Sequence, residues 1–440
     1  MLVMLSAGPN LETFLHAVQW LNFGFGALLL LIYLYQFYYM FYALFRQPKR
    51  YPETDQSKRY AILIAARNEE RVLPNLLESI RRQTYPKRNL DVWVVADNCT
   101  DRTADVARAR GAGVLERFNQ REVGKGYALN ALLCHIRDRY GSFSSRYDGY
   151  IVIDADNVLT PTYVSEMDKV FTHSGCRAVT SYRTSKNFSD NWISSGYALW
   201  FLRESKYLNN PRHQLGHSCA ISGTGFLFSS AIAEEEQGWH YHLLTEDIEF
   251  TNARVLKGEK IAYANEAMLF DEQPVTFEQS WKQRKRWAKG MFQVFRKYGK
   301  GMFREMFRGR FVCYDMAMTS LPAFVVSCIT LLCNVLLGIV AGLWFKTTGV
   351  IYPLLIASLF FFLFVYVLVY FWGVVTVWTE RKNIYCSKKM LFLYTLTFPI
   401  FLATFLPCTL SAFFTKQVKW EPIHHTVVRN EREIYLSAQQ

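Results

Sequence analysis

The chain has 440 residues, enough for one large domain or two ordinary ones, and carries a formal net charge of +13. Hydrophobic residues make up 51% and aromatics 16%, too rich for a purely soluble protein, yet the mean hydropathy is only +0.01, so the apolar residues must be concentrated in particular segments. The charge suits anionic partners such as lipid headgroups or phosphorylated substrates, and nine scattered cysteines without a C-x-x-C pair read as buried thiols in a reducing compartment, not as zinc ligands or disulfides.

The N-terminus lacks a basic n-region and a small-residue cleavage site, so no removed signal peptide is expected. Residues 13–46 read as a first transmembrane helix: positions 13–45 carry no charged side chain, taking His16 as neutral, and can span roughly 30 Å of hydrocarbon. Arg46, Lys49 and Arg50 follow at once, which assigns that end to the cytoplasm.

Residues 50–275 change texture. RYAILIAA, LDVWVVAD and YIVIDAD read as buried parallel strands, while EERVLPNLLESIRRQ and DRTADVARARG have helical spacing, the second closing on Gly111. This order predicts a doubly wound α/β domain, in which ligands bind at the carboxyl ends of strands. Asn68, Glu69, Asp97, Asp154 and Asp156 fall there. In IDAD the two carboxylates at i and i+2 either converge on a hard cation such as Mg²⁺ or Mn²⁺ or simply cap the strand end. No P-loop and no well-placed G-x-G-x-x-G is present, which argues against a dinucleotide site.

Residues 276–312 read as amphipathic interfacial helices. A helical wheel gathers Val294, Trp287, Met291, Phe295, Ala288, Trp281 and Phe292 on an apolar arc, with Lys282, Lys285, Arg286, Lys289, Arg296 and Lys297 largely opposite. Gln283, Arg286 and Trp287 stand at i, i+3 and i+4 along the border between the two. Arg284 falls inside the apolar arc and needs a headgroup or an acid as partner.

The region 313–415 contains three charge-free stretches, 316–345, 347–378 and 390–414, followed by a polar tail, 416–440. The basic loop TERKNIYCSKK is expected to be cytoplasmic. One crossing plus three would put the basic tail outside, against the same rule. Pro399 and Pro407 make 390–414 the candidate for a re-entrant or interfacial element, so three to four crossings are expected.

AARNEE, ADNCTD, REVGKGYALN, DAD, SGTGFLF, HLLTEDIEF and QRKRW follow in order over about 220 residues. Together they resemble a family 2 glycosyltransferase of the GT-A fold, an α/β Rossmann-like mixed sheet. The flanking apolar segments further resemble the membrane-integrated synthases of cellulose, hyaluronan, chitin and poly-N-acetylglucosamine. The resemblance implies inverting transfer from a UDP-sugar, UDP-glucose or UDP-N-acetylglucosamine foremost, to a growing polysaccharide at the cytoplasmic face of the plasma membrane. It implies Asp247 as general base, and Asn68, Glu69, Asp97, Lys125, Asp154 and Arg286 toward the nucleotide sugar. Gly223, Thr224, Glu246, Gln283 and Trp287 would shape the acceptor site, and Asp156 would hold Mg²⁺ or Mn²⁺ on the diphosphate. Where relatives often have two acids at the second strand end, this chain has Asp97-Asn98. Single-sugar transfer to a membrane lipid is the alternative, and a transporter with a nucleotide-sensing domain a remote one. The charge-free spans disfavour the transporter, and no nucleic-acid-binding motif appears.

Overall fold

The computed structural model describes residues 11–320, 322–345, 351–416, 418, 427–429 and 433–434. Strands β1 (Tyr60–Ala66), β2 (Leu90–Asp97), β3 (Gly113–Arg117), β4 (Gly149–Asp154), β5 (Val158–Leu159), β6 (Ala178–Ser185), β7 (Phe226–Ser229) and β8 (Ile261–Asp271) form one eight-stranded sheet in the order β3-β2-β1-β4-β7-β6-β8-β5. β1 to β4 pair in parallel, whereas β7 runs antiparallel to both β4 and β6, so the sheet is mixed. The first three expected strands are all present. Their side chains are apolar on both faces because both faces are covered: Ala61 and Leu63 enter one core, Tyr60, Ile62 and Ile64 the other.

The helices are α1 (Leu11–Phe45), α2 (Leu73–Arg81), α3 (Thr103–Ala109), α4 (Lys125–Tyr140), α5 (Tyr163–His173), α6 (Trp192–Glu204), α7 (Asn210–Gln214), α8 (Ser230–Glu236), α9 (Glu246–Leu256) and α10 (Phe277–Phe307). After them come α11 (Phe311–Ser320), α12 (Pro322–Phe345), α13 (Ile351–Glu380), α14 (Lys388–Ala403) and α15 (Phe405–Phe414). A π-helical turn, Ser205–Asn209, joins α6 to α7. The segment 276–312 is thus one long helix and the start of a second.

Among the described residues, four stretches are long and apolar enough to cross a membrane: Leu11–Phe45, Val325–Phe345, Ile351–Asn383 and Lys388–Phe414. The expected spans 316–345 and 347–378 include positions outside the described residues. α1 is tied to α12 by a reciprocal amide pair, Asn22 and Asn334, at 2.8 and 2.9 Å. Such a pair satisfies buried polar groups where no water competes.

The last stretch differs from the others. It breaks at Thr404, and Leu391, Tyr394, Phe398, Phe401 and Phe405 belong to the core of the α/β domain itself. Both of its flanks return to that domain. At the entry, Glu380 accepts hydrogen bonds from Tyr182 and Asn383, and the Tyr394 hydroxyl donates to the Ser189 carbonyl at 3.2 Å. Beyond the exit, Arg429 pairs with Asp190 at 2.8 Å and Val427 N–H donates to Glu272 at 3.1 Å.

Candidate active site

A cavity of about 790 Å³ opens at the carboxyl ends of β1, β2 and β4. Three strand-end loops meet there because parallel strands all discharge their chains at the same edge. Glu69 and Asp97 lie on its wall. Asp97 accepts a hydrogen bond from Arg117 Nη1 at 2.6 Å, which aims the carboxylate from the end of β2. Asn68, expected in the nucleotide pocket, is not on the wall. Its backbone is left-handed (φ 60°) and its Oδ1 accepts from Thr100 N–H at 2.8 Å, so it ties the first loop to the second.

The N-terminus of α4 faces the cavity through Gly124, Lys125 and Gly126. Free N–H groups and the helix dipole make such an end a receptor for a diphosphate. The two glycines serve different purposes. Gly124 has φ 137° and open space around it, leaving its backbone reachable by a ligand. Gly126 is required by the protein, since a Cβ there would overlap the Tyr241 carbonyl.

Lys125 Nζ donates to Asp154 Oδ1 at 2.5 Å and to the Gly223 carbonyl at 2.7 Å, and lies 3.8 Å from Glu246 Oε1. Asp247 Oδ2 accepts from Gly223 N–H at 2.6 Å. The turn Ser222–Gly225 therefore clamps the acid at the end of β4, the lysine of α4 and the acids opening α9. Gly223 can do this because it holds φ 79°. Thr224 stands behind the wall: its hydroxyl accepts from Asp154 N–H at 2.9 Å and donates to Asn157 Oδ1 at 2.7 Å. It supports the site from below. Thr224→Val should remove both bonds in a buried place and cost about 1–3 kcal/mol. A lowered thermal midpoint with reduced turnover is the expected reading; an unchanged midpoint would rule out the clamp.

Burial dominates the electrostatics. It pushes Glu246 up to about 7, opposed by Lys125 and reinforced by Asp247. It also raises Asp247, against the N–H groups of Ile248 and Gly223. Burial alone would lower Lys125, but Asp154 and Glu246 outweigh it and raise the ammonium. A carboxylate moved above its ordinary range is poised as a proton acceptor.

Asp156 accepts from Glu272 N–H at 3.1 Å and from Asn157 Nδ2 at 3.2 Å. Among the described residues no group of three or more His, Cys, Asp or Glu side chains converges as a ready-made metal site. Asp154 and Asp156 remain as hard oxygen donors on one wall. That set fits an ion such as Mg²⁺ or Mn²⁺, which is commonly bound by one or two carboxylates with substrate phosphates completing its shell. Two further wall residues were not anticipated. Arg183 on β6 forms an ion pair with Asp271 at the end of β8, and burial still pushes Asp271 up to about 6. LFDEQ is another apolar run ending in acids, the same signal that marked Asp97 and Asp154.

α10 supplies the remaining wall with Gln283, Arg286 and Trp287, so the border of the wheel does face the cavity. Gln283 Oε1 and Arg286 Nε are buried without hydrogen-bond partners among the described residues. Trp287 packs edge-on against Tyr197 and Phe201. The apolar arc is not bare for lipid: Phe292 meets Phe413, and Lys289 Nζ donates to the Thr415 carbonyl at 2.6 Å. Only part of the arc, such as Phe295, stays exposed. Among the described residues Arg284 pairs with no acid. It is fully buried at the α14–α15 break, where it donates to the Phe401 carbonyl at 3.3 Å and to Thr404, between the rings of Phe401 and Phe405.

Residues 58–290 match the profile of a family described as glycosyltransferase-like family 2. A β-monoglucosyldiacylglycerol synthase of Nostoc sp. is 26% identical over 294 residues, 64% of this chain and 59% of its own. A poly-β-1,6-N-acetyl-D-glucosamine synthase of Staphylococcus epidermidis is 27% identical over 245 residues, 55% of this chain and 57% of its own. The chain thus spans less than two thirds of these relatives. Among solved structures, a mannosyltransferase of Pyrobaculum calidifontis in complex with GDP-mannose and Mn²⁺ superposes with a TM-score of 0.58 at 15% identity, covering 93% of this chain and 100% of that one. At that identity the likeness establishes the fold.

Proposed function

The chain belongs to glycosyltransferase family 2, and from that premise we propose that it transfers one sugar, with inversion, from a UDP-sugar to an acceptor hydroxyl at the membrane surface. UDP-glucose and UDP-N-acetylglucosamine are the donors of first choice, and the relatives named above include both a glycolipid synthase and a polysaccharide synthase. The observation that carries the reading is one cavity onto which the strand-end acids, the α4 N-terminus, the Glu246–Asp247 pair and the Gln283–Arg286–Trp287 border all open.

In this reading Glu69 and Asp97 receive the nucleoside. The diphosphate lies against the N-terminus of α4, with Lys125 and Arg286 as countercharges. Asp247 takes the proton of the acceptor hydroxyl, the freed oxygen bonds to the anomeric carbon, and the bond from that carbon to the diphosphate breaks. UDP leaves with the electron pair. Glu246, Gln283, Trp287 and Gly223 shape the acceptor side, and Thr224 holds their support in place.

Asp156, with Asp154 beside it, would hold a divalent cation, which neutralises charge on the leaving diphosphate when bound. EDTA is expected to abolish turnover, and Asp156→Ala to lower it by about 100-fold or more, as loss of a main electrostatic stabiliser does. Mn²⁺ or Mg²⁺ added back should restore the wild type and not the variant. Full turnover in EDTA would remove the metal from the scheme.

Both flanks of α14–α15 meet the catalytic domain, which favours three crossings, by α1, α12 and α13, with the basic tail on the catalytic, cytoplasmic side of a plasma membrane. Protease protection of a C-terminal tag in inverted vesicles would contradict this topology. The function itself is tested by incubating the reconstituted protein with a panel of UDP-sugars and measuring UDP. Release from one donor, dependent on an acceptor, is expected. No release from any donor would end the reading.

A further inference from the structure

The catalytic cavity does not stop at the acceptor side. It continues as an apolar arm among α1, α13 and α14, walled by Leu30, Phe37, Val365, Val369, Ile400 and Leu402. The outward faces of these helices carry exposed Leu34, Leu363 and Phe392, as segments in contact with lipid do. A path that begins at a catalytic carboxyl and ends between such helices is open to a molecule already in the bilayer.

We propose that the acceptor is a single membrane lipid with an alcohol headgroup, its hydroxyl at Asp247 and its hydrocarbon chain in this arm. The inference rests on the glycosyltransfer reading and names the substrate class of the same site. The walls decide against a polymer in this arm. A saccharide passing through it would shed water from its hydroxyls, and the residues lining the arm are almost all hydrocarbon and aromatic, so they return few hydrogen bonds. A lipid chain leaves one apolar environment for another and incurs no such penalty.

The junction between polar and apolar parts has its own recognition element. Arg203 lies on the cavity wall at the end of α6, two residues before Ser205 opens the π-helical turn. Its guanidinium donates to Gln36 on α1 and stacks over the Trp372 ring at 4.8 Å. Burial drags it down to about 10 despite the pull of the neighbouring Glu204, which lines the same cavity and accepts from the Ser222 hydroxyl at 2.5 Å. A half-buried cation between the polar and apolar parts of the cavity suits the ester or ether oxygens that join a headgroup to its chain. A hydroxyl at the reacting end suits the base: Asp247 opens on the same cavity with its carboxylate held by Gly223 N–H, placed to take a proton that an alcohol offers and an ionised phosphate does not.

The test uses the full chain in liposomes with a radiolabelled donor sugar and three acceptors: dioleoylglycerol, a polyprenyl phosphate and soluble oligosaccharides. A single labelled glycolipid from dioleoylglycerol is expected. Val369→Trp, and Leu402→Trp from the facing wall, should each raise the KM for that lipid at least 10-fold while UDP binding, measured by calorimetry, stays as in the wild type. UDP binding also reports that each variant is folded. A ladder of saccharides with the lipid inert would overturn the inference and leave glycosyltransfer standing, as would product on the polyprenyl phosphate alone. Absence of UDP release with every acceptor would overturn both.

Discussion

Asp247→Asn is expected to bind UDP-sugar with nearly the wild-type affinity and to transfer it about 10²–10⁴-fold more slowly, the range associated with losing a positioned general base. Asparagine keeps the shape and can still accept from Gly223 N–H, so the clamp on the Ser222–Gly225 turn survives. What it cannot do is take a proton. Stability should not fall, because burial disfavours the ionised form of Asp247 and the amide removes that charge. In the wild type the same burial sets the pH dependence. Glu246 and Asp247 share one buried site beside Lys125, so they titrate as a pair. A base works only when ionised, and both groups hold their protons to higher pH than ordinary carboxylates. The rate should therefore fall on acidification at a pH above the usual carboxylate range near 4. A kcat profile flat down to pH 5 would exclude the pair, and a variant with wild-type kcat would exclude Asp247.

The parts of this fold that were legible in the sequence were those where a residue's neighbours in the chain also fix its surroundings. β1, β2 and β4 are apolar runs because both sheet faces are covered, and their final acids reach the cavity because parallel strands end together. The Gln283–Arg286–Trp287 border follows from helix spacing, whereas Lys125 and Asp247 were implied by the family resemblance. The Arg183–Asp271 pair was not legible, since its partners lie 88 residues apart and meet only across neighbouring strands. Asn68 was ambiguous because a polar residue at a strand end serves equally to bind a ligand or to tie two loops.

The helix pair α14–α15 was only partly legible, for a different reason. Hydrocarbon and a protein core select the same Leu, Phe and Ile, so hydropathy alone cannot tell a crossing from a helix buried against its own domain. The prolines gave the hint that the segment is interrupted. Arg284 gave a second, and its meaning needed the structure. A cation inside an apolar arc must meet acceptors somewhere, and here they are a backbone carbonyl and a hydroxyl at the helix break.

Arg284 and Arg286 should part company when each is changed to methionine. They are two residues apart on α10, but their environments are opposite in kind. Arg284 is satisfied: Ser280 and Phe401 carbonyls and the Thr404 hydroxyl accept from it, and aromatic rings flank the guanidinium. Arg284→Met strips acceptors in a place without water, at about 1–3 kcal/mol for each group left unpaired, so the thermal midpoint should drop with or without UDP. Arg286 has one buried donor, Nε, without a hydrogen-bond partner among the described residues. Burial lowers its proton affinity despite the pull of Glu246, Asp154 and Asp247. A donor diphosphate is the countercharge that would complete it. Arg286→Met should then leave the free protein as stable or more stable, abolish most of the shift in midpoint that UDP produces, and lower kcat/KM by about 10²–10³, the scale of losing one aimed electrostatic contact. Differential scanning measurements with and without UDP separate the two. If Arg286→Met lost stability as Arg284→Met does and kept its response to UDP, the guanidinium would be a structural element of α10 and the diphosphate would have to lie elsewhere.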